Sequence, residues 1–361
     1  MSAATAAIVV TTIQEPTQCM QALARRARDH QLKWIVIGDR SGPPRFSLAP
    51  AELVSIQDQK ALPFKLARLL PEKHYARKNL GYLLAISQGY DCVYETDDDN
   101  APTEDWTVRS LETKAYRVSR RCEANWANVY EAYTTHLIWP RGLPLNRVRR
   151  HFAEDFEIRP TAVDTVAPIQ QGLANGSPDV DSVWRLILDR EITFNDFPNI
   201  LLPRGVWCPF NSQNTWWWKE AFPLLYLPSY CSFRMTDIWR SFVAQRCLWE
   251  LGYELEFHHA DVKQMRNEHD LMRDFDQEVV GYLRNDQIRK VLEACDLSPG
   301  RSNVNTNVFR CYEALVRAAI ITEEELALVE AWLEDCVHFG KHTVPTEHPY
   351  RPEEMLEPAP F

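Results

Sequence analysis

Nothing in this sequence reaches the length of a bilayer span. No apolar run approaches the roughly 18 residues that a transmembrane helix needs. A secretory signal is missing too: Met1 to Thr5 are small and polar, and Ala6-Ala7-Ile8-Val9-Val10 is too short and lacks a basic lead-in. The expectation is a cytoplasmic protein, although a chain shorn of an anchor would read the same. Positive charge is scarce relative to negative, with 40 Lys and Arg against 50 Asp and Glu and a net charge of −10. That argues against a nucleic-acid partner, while leaving room for a small basic pocket that holds a phosphate. The 9 cysteines form no CxxC pair and show no Cys/His ligand spacing, so free thiols are expected and no zinc centre. There is no GxGxxG and no glycine-rich phosphate loop, so a dinucleotide fold has no support. No internal repeat is visible.

What remains is a balanced globular composition. Of 361 residues, 45% are hydrophobic and 25% charged, enough for one large domain or two smaller ones. Ala6 to Ile13 reads as a buried strand, Thr17 to Arg28 as a helix, and Trp34 to Ile37 as a second strand ending in Gly38-Asp39. Strand, helix, strand at this spacing implies a parallel sheet. Ligands of such sheets bind beyond the strand carboxyl ends. Asp39 is placed there to accept from a ribose or base, or serves as a turn residue. Tyr75 to Ser87 reads as a helix with a basic start, Arg77-Lys78-Asn79, and Gly89 as its stop.

The next strand, Asp91 to Tyr94, leads into Glu95-Thr96-Asp97-Asp98-Asp99-Asn100. Like charges about 4 Å apart repel by roughly 4 kcal/mol at an effective dielectric near 20. Clustered carboxylates therefore want a cation or wide solvent exposure. Magnesium and manganese take a few carboxylates plus substrate phosphate oxygens. The triplet reads as a metal–diphosphate site or as a solvated acidic turn. In an extended tip Asp97 and Asp99 share a face and Asp98 points away.

Further on, Trp139 to Pro144 holds Arg141 in a turned loop, as a phosphate clamp or a surface arginine. Asp179 and Asp181 flank Val180; one is expected to cap a helix, leaving the other for chemistry. Phe210 to Asn214 is rich in amides and precedes Trp216-Trp217-Trp218. Amides with flat rings suit sugar hydroxyls, or pack as a structural loop. A strong helix starts near Met235 and runs to about Glu250, with Thr236 or Asp237 as its cap. Glu254 to Phe257 reads as a last strand that delivers His258 and His259 to the same edge. The chain then turns helical, with Thr322 and Glu325 as a capping box, and ends in a loose, Pro-rich tail.

Several stretches together resemble the STELLO-type glycosyltransferases. They are Tyr75 to Asn100, Trp139 to Leu145, Ile169 to Leu186, Val206 to Phe222 and Thr236 to Phe257. The resemblance covers roughly residues 6 to 285. It implies an α/β, GT-A-like nucleotide-sugar-binding fold with a mainly parallel central sheet and a C-terminal helical region. The expected division is 1–265 for the glycosyltransferase domain, 266–340 for the helices and 341–361 for the tail. It also implies a nucleotide-sugar donor, UDP-linked, with Mn2+ or Mg2+, and a carbohydrate or glycoconjugate acceptor.

Carried onto this sequence, Asp97 and Asp99 match the metal pair, and His258 or His259 the late metal ligand. Thr11, Thr12, Asp39, Arg77, Asn79 and Asp98 fall on the nucleotide side. Asp237 is the first candidate catalytic base and Asp181 the second. Asn211, Asn214, Trp217, Asp179 and Arg240 are the candidates for sugar or acceptor contacts. Two other readings stand beside it: a different metal-dependent phosphate enzyme, such as a nucleotidyltransferase, and a non-catalytic scaffold that keeps the fold.

Overall fold

The computed structural model describes residues 5–267 and 270–340. The expected tail, 341–361, lies outside the described residues. Strand β1 (Ala6–Thr11) pairs in parallel with β2 (Lys33–Ile37) and β4 (Cys92–Thr96), and β2 with β3 (Ala51–Val54). This block is the parallel sheet that the first 100 residues lead one to expect. Beyond β4 the sheet is mixed. It continues through β10 (Asn214–Trp218), β8 (Ile169–Gly176), β11 (Leu255–Gln264), β9 (Ile200–Leu202), β6 (Glu112–Arg120) and β7 (Phe156–Val166). The pairs β8–β11 and β9–β6 are parallel, and those between the other neighbours are antiparallel. A short strand, β5 (Asn100–Pro102), pairs with β11.

The period-2 alternation of strands decides which side chains meet. Val9, Ile35, Ile37, Val93 and Trp217 enter one core; Ile8, Val10, Trp34, Val36, Tyr94, Trp216 and Trp218 enter the other. Full burial of such a side chain is worth about 1.5–3 kcal/mol. The three consecutive tryptophans are thus sheet core on both faces, and none is a flat surface for a sugar. Helix α1 (Gln18–Asp29) covers the second core with Met20, Leu23, Ala24 and Ala27, and Thr17 caps it by accepting from the Met20 amide at 3.1 Å. Helix α2 (Lys78–Ser87) lies against the other face. It sits so close that a Cβ on Gly81 would come within 2.5 Å of Val9.

Helix α3 (Ser182–Ile187) follows β8, and α4 (Thr236–Glu250) is buried along its whole length. Helices α5 (Leu271–Glu293), α6 (Val304–Arg317) and α7 (Glu324–Phe339) complete the chain. Trp239 of α4 donates to Asn285 of α5 at 2.9 Å, and Trp332 of α7 donates to the Pro223 carbonyl at 3.0 Å. Ile288, Val308 and Trp332 share one apolar core with the sheet. Glu325 does not form the expected capping box. Its carboxylate accepts from the Ser229 and Tyr230 amides, at 3.0 and 2.6 Å, and pins that loop to α7. Among the described residues no helix is long and apolar enough to cross a membrane.

Candidate active site

The parallel strands carry the loops that follow them to one edge. Thr12 follows β1, Gly38-Asp39 follows β2, the three aspartates follow β4, and Pro178-Asp179 follows β8. Strand β11 runs parallel to β8 and brings Gln264 and Arg266 there. Strand β10 runs the other way, so its start brings Asn211 and Gln213 there. The turn that opens α4 adds Phe233, Arg234 and Asp237. These residues line one cavity of about 700 Å³, within the size range of small-molecule sites.

The acidic floor is a turn and not an extended tip: the Asn100 amide donates back to the Asp97 carbonyl at 3.3 Å. All three aspartates therefore line the cavity, Asp98 included. Each is held differently. Asp97 Oδ1 accepts from the Tyr75 hydroxyl at 2.8 Å and from Lys78 Nζ at 3.1 Å. Lys78 is fully buried and also donates to the Thr96 carbonyl at 2.8 Å. Asp98 accepts from the Thr12 hydroxyl at 2.5 Å, and its carbonyl accepts from Thr17, the α1 cap. Burial pushes its carboxyl up, and Thr12 offsets part of that. Asp99 accepts from Gln264 Nε2 at 3.0 Å and from Asn100 Nδ2 at 3.3 Å. Burial, with Asp97 adding to it, pushes Asp99 up to about 7. Its negative charge is the least compensated of the three.

Across the cavity one arginine organises the wall. Arg141 Nε and Nη2 reach Asp179 at 2.8 and 2.9 Å, while Nη1 and Nη2 reach Asp237 at 3.1 and 2.9 Å. It is 6% exposed, so it is no surface arginine. Burial works against the charge of Asp237, but Arg141 wins and holds the carboxyl below the usual aspartate range. Asp237 also accepts from the Ser212 amide at 3.4 Å. A carboxylate so committed is a weak proton acceptor and a well-oriented hydrogen-bond acceptor.

Sequence relatives bear on this site. A family model described as STELLO glycosyltransferases matches residues 234–348, the stretch that holds Arg234, Asp237, Gln264 and Arg266. The protein named "Probable glycosyltransferase STELLO1" of Arabidopsis thaliana is 32% identical over 264 residues, 68% of this chain and 33% of that protein. The chain belongs to the STELLO glycosyltransferase family. "Probable glycosyltransferase STELLO2" of the same plant is 30% identical over 264 residues, 68% of this chain and 34% of its own length. This STELLO-family chain spans about a third of the length of those two relatives.

Of the residues expected from sequence, Thr11, Thr12, Asp39, Arg77, Asp97, Asp98, Asp99, Asp179, Asn211 and Asp237 line the cavity. Seven do not. Asp181 is the helix cap: it accepts from the Trp184 amide at 2.8 Å and from the Trp139 indole at 2.6 Å, and it is fully buried, which rules it out as a base. Asn79 exchanges two hydrogen bonds with the Leu227 backbone, at 2.8 and 2.9 Å. Asn214 is used by Asp261 and the Leu173 carbonyl, at 2.7 and 3.0 Å. Arg240 forms a buried fork with Glu95, at 2.7 and 2.9 Å, and Trp217 donates to the same Glu95 at 2.7 Å.

The histidines fail as metal ligands for one reason: β11 does not stop at Phe257 but runs on to Gln264. His258 is therefore in mid-strand, fully buried, and packed so closely that a Cβ on Gly172 would collide with it. Burial holds its ring well below the ordinary histidine range, so it is neutral. His259 faces outward to Asp196 at 3.5 Å.

Tyr75, Gln264, Arg185, Arg234 and Arg266 are not among the residues expected from sequence, and Lys78 is expected only as part of a basic helix start. Tyr75 and Lys78 stand three apart at a helix start, a spacing that puts both on one face. Arg77 and Asn79, expected on the nucleotide side, come from that same stretch. Arg77 instead donates from Nε to Gln59 at 2.6 Å and from Nη1 to the Leu70 carbonyl at 3.1 Å, which fixes the loop beneath Asp39. The true tip of β11 was hidden because Asp261-Val262-Lys263-Gln264 looks like a polar loop.

Proposed function

We propose that the cleft is the active site of a metal-dependent glycosyltransferase of the GT-A type. It would move a sugar from a nucleotide-sugar donor, UDP-linked in our reading, to an acceptor hydroxyl. The observation that carries this reading is the acidic turn at the carboxyl end of β4, with one buried carboxylate left short of positive charge. The family supports a transferase; the donor, the metal and the acceptor are our inference.

The fit of a cation can be judged from the donor set. Asp99 offers a buried carboxylate with only amide donors on it, and Asp97 has one oxygen not used by Tyr75 or Lys78. Among the described residues no group of three or more His, Cys, Asp or Glu is placed to hold a metal by itself. Two carboxylates are what magnesium or manganese takes when substrate phosphates complete the shell. Asp97 and Asp99 would hold the ion, which would supply positive charge for the leaving diphosphate.

The chain's own residues supply the rest. Asp39 and Thr12 lie where the nucleoside of the donor would sit, at the ends of β1 and β2. Lys78 fixes Asp97 and keeps part of the acidic turn neutralised from below. Asp237, oriented by Arg141, would accept from the incoming hydroxyl and align it, with Asp179 and Asn211 beside it. Phe233, 51% exposed, gives the cleft its flat apolar surface.

The test is release of nucleoside diphosphate from a panel of nucleotide sugars, with and without manganese, by wild type and Asp99→Ala. Metal-dependent release of UDP that the variant loses is the expected result. Absence of any nucleotide binding would sink the reading. Turnover of nucleoside triphosphates in its place would point to a nucleotidyltransferase.

A further inference from the structure

The cleft has two chemically different ends. One is the acidic turn. The other is a wall where Arg185, Arg234 and Arg266 line the same cavity as Pro178 and Val180. All three arginines are largely buried, with side chains 5%, 16% and 18% exposed. Burying three guanidinium groups together is costly unless anions answer them.

The carboxylates near them are placed behind the wall or are already taken. Arg266 Nη2 donates to Asp274 at 2.9 Å, and Arg234 Nε donates to Glu278 at 3.0 Å, both on α5. Arg185 Nη2 donates to the Pro178 carbonyl at 2.6 Å, and its carboxylate neighbour is Asp189, 3.5 Å away and largely exposed. The two carboxylates of the wall opposite the acidic turn, Asp179 and Asp237, are both gripped by Arg141. The like charges oppose one another. Burial and then Arg234 depress Arg266, and burial and then Arg266 depress Arg185. These side chains are oriented from the rear by α5 and the Pro178 loop, as a recognition wall needs.

We infer that Arg185, Arg234 and Arg266 form an anion subsite that takes a phosphate or carboxylate group of a substrate in this cleft. A planar guanidinium fork matches those groups in two-point contact, whereas sugar hydroxyls make no demand for three positive charges. Two sources fit that chemistry: the diphosphate of the donor, or an acidic group on the second substrate. The inference rests on the proposed cleft function only for the identity of the substrates.

The test uses the full chain and the variants Arg266→Gln and Arg185→Gln, with folding checked by near-ultraviolet circular dichroism. Ligands are uridine, UDP, inorganic phosphate and glucuronate, titrated by calorimetry. Phosphate and glucuronate are titrated with and without UDP present. A loss of UDP affinity of roughly tenfold or more in Arg266→Gln, with uridine unchanged, assigns the donor diphosphate to the subsite. Unchanged UDP affinity with a similar loss for phosphate or glucuronate assigns the second substrate. If nucleotides do not bind at all, the cleft function fails, but the anion titrations still decide the subsite. Should Arg185→Gln have folded poorly, Arg266→Gln, on the segment after β11, suffices. Folded variants that keep every affinity within twofold of wild type overturn the inference.

Discussion

Asp99→Asn should make the metal-free protein more stable at neutral pH while removing its response to metal. In the fold Asp99 titrates near 7, against an ordinary value of 3.8. Between those pH values the folded protein keeps a proton that the unfolded chain has released. Stability from this group therefore falls as pH rises from about 4 to about 7, and is level above that. At 1.36 kcal/mol per pH unit the whole span is worth about 4 kcal/mol, of which roughly 2.5 kcal/mol falls between pH 5 and pH 8. Asparagine keeps the shape and loses the charge. In EDTA, the urea-unfolding free energy of the variant minus that of wild type should thus grow by roughly 2.5 kcal/mol from pH 5 to pH 8. Manganese should then stabilise wild type more at pH 8 than at pH 5, and leave the variant unmoved. A difference that stays flat with pH within about 0.5 kcal/mol would mean that Asp99 is not a desolvated carboxylate. A cation at the β4 turn would then have no uncompensated carboxylate to answer.

Arg240→Met leaves Glu95 buried without its partner and should cost about 3–5 kcal/mol of unfolding free energy. A variant of normal stability but altered sugar preference would return Arg240 to the sugar site. His259→Ala should leave manganese affinity within twofold of wild type, measured by calorimetry; a tenfold loss would restore the histidine to the metal shell. Arg141→Lys keeps the charge but loses the fork that orients Asp179 and Asp237. Donor affinity should hold while kcat falls by roughly 100-fold, and equal turnover in the two proteins would show that the orientation of Asp237 is irrelevant.

Strands β1, β2 and β4 are readable because each holds a short run of β-branched and aromatic residues with a turn behind it, whereas β3, Ala-Glu-Leu-Val, carries no such signal. Thr12, Asp39 and the aspartates follow such runs, so topology alone carried them to one edge. The other half was harder. Strand β6 reads Glu-Thr-Lys-Ala-Tyr-Arg-Val-Ser-Arg, and its buried positions, Ala115 and Val118, are too sparse to mark a strand. In β11 the polar residues His258, His259, Asp261 and Gln264 are buried or half-buried by neighbours far away in sequence, so the local pattern ends the strand too soon. That single error in length moved two histidines to the tip and hid Gln264 and Arg266.

Five polar residues expected at the site lie in the core instead, and the reason is physical. Asn79, Asp181, Asn214, Arg240 and His258 are types that ligand sites use, yet each is at most a few per cent exposed. Each holds backbone or another buried polar group; Arg240 answers Glu95, and Asn79 pairs with both polar groups of Leu227. A sheet of this width places long stretches of loop over buried strands, and those loops need fixed hydrogen-bond partners. Arg141 shows the opposite case. It looked like a surface residue between two prolines, yet those prolines turn the loop inward and lay its guanidinium across Asp179 and Asp237. Residue type does not separate the two groups; what separates them is whether a side chain's polar atoms are used up. Arg240 spends its fork on Glu95 in the core, whereas Arg141 spends its own on two carboxylates of the cleft wall. Substitution at Arg240 should therefore be read first in stability, and at Arg141 first in turnover.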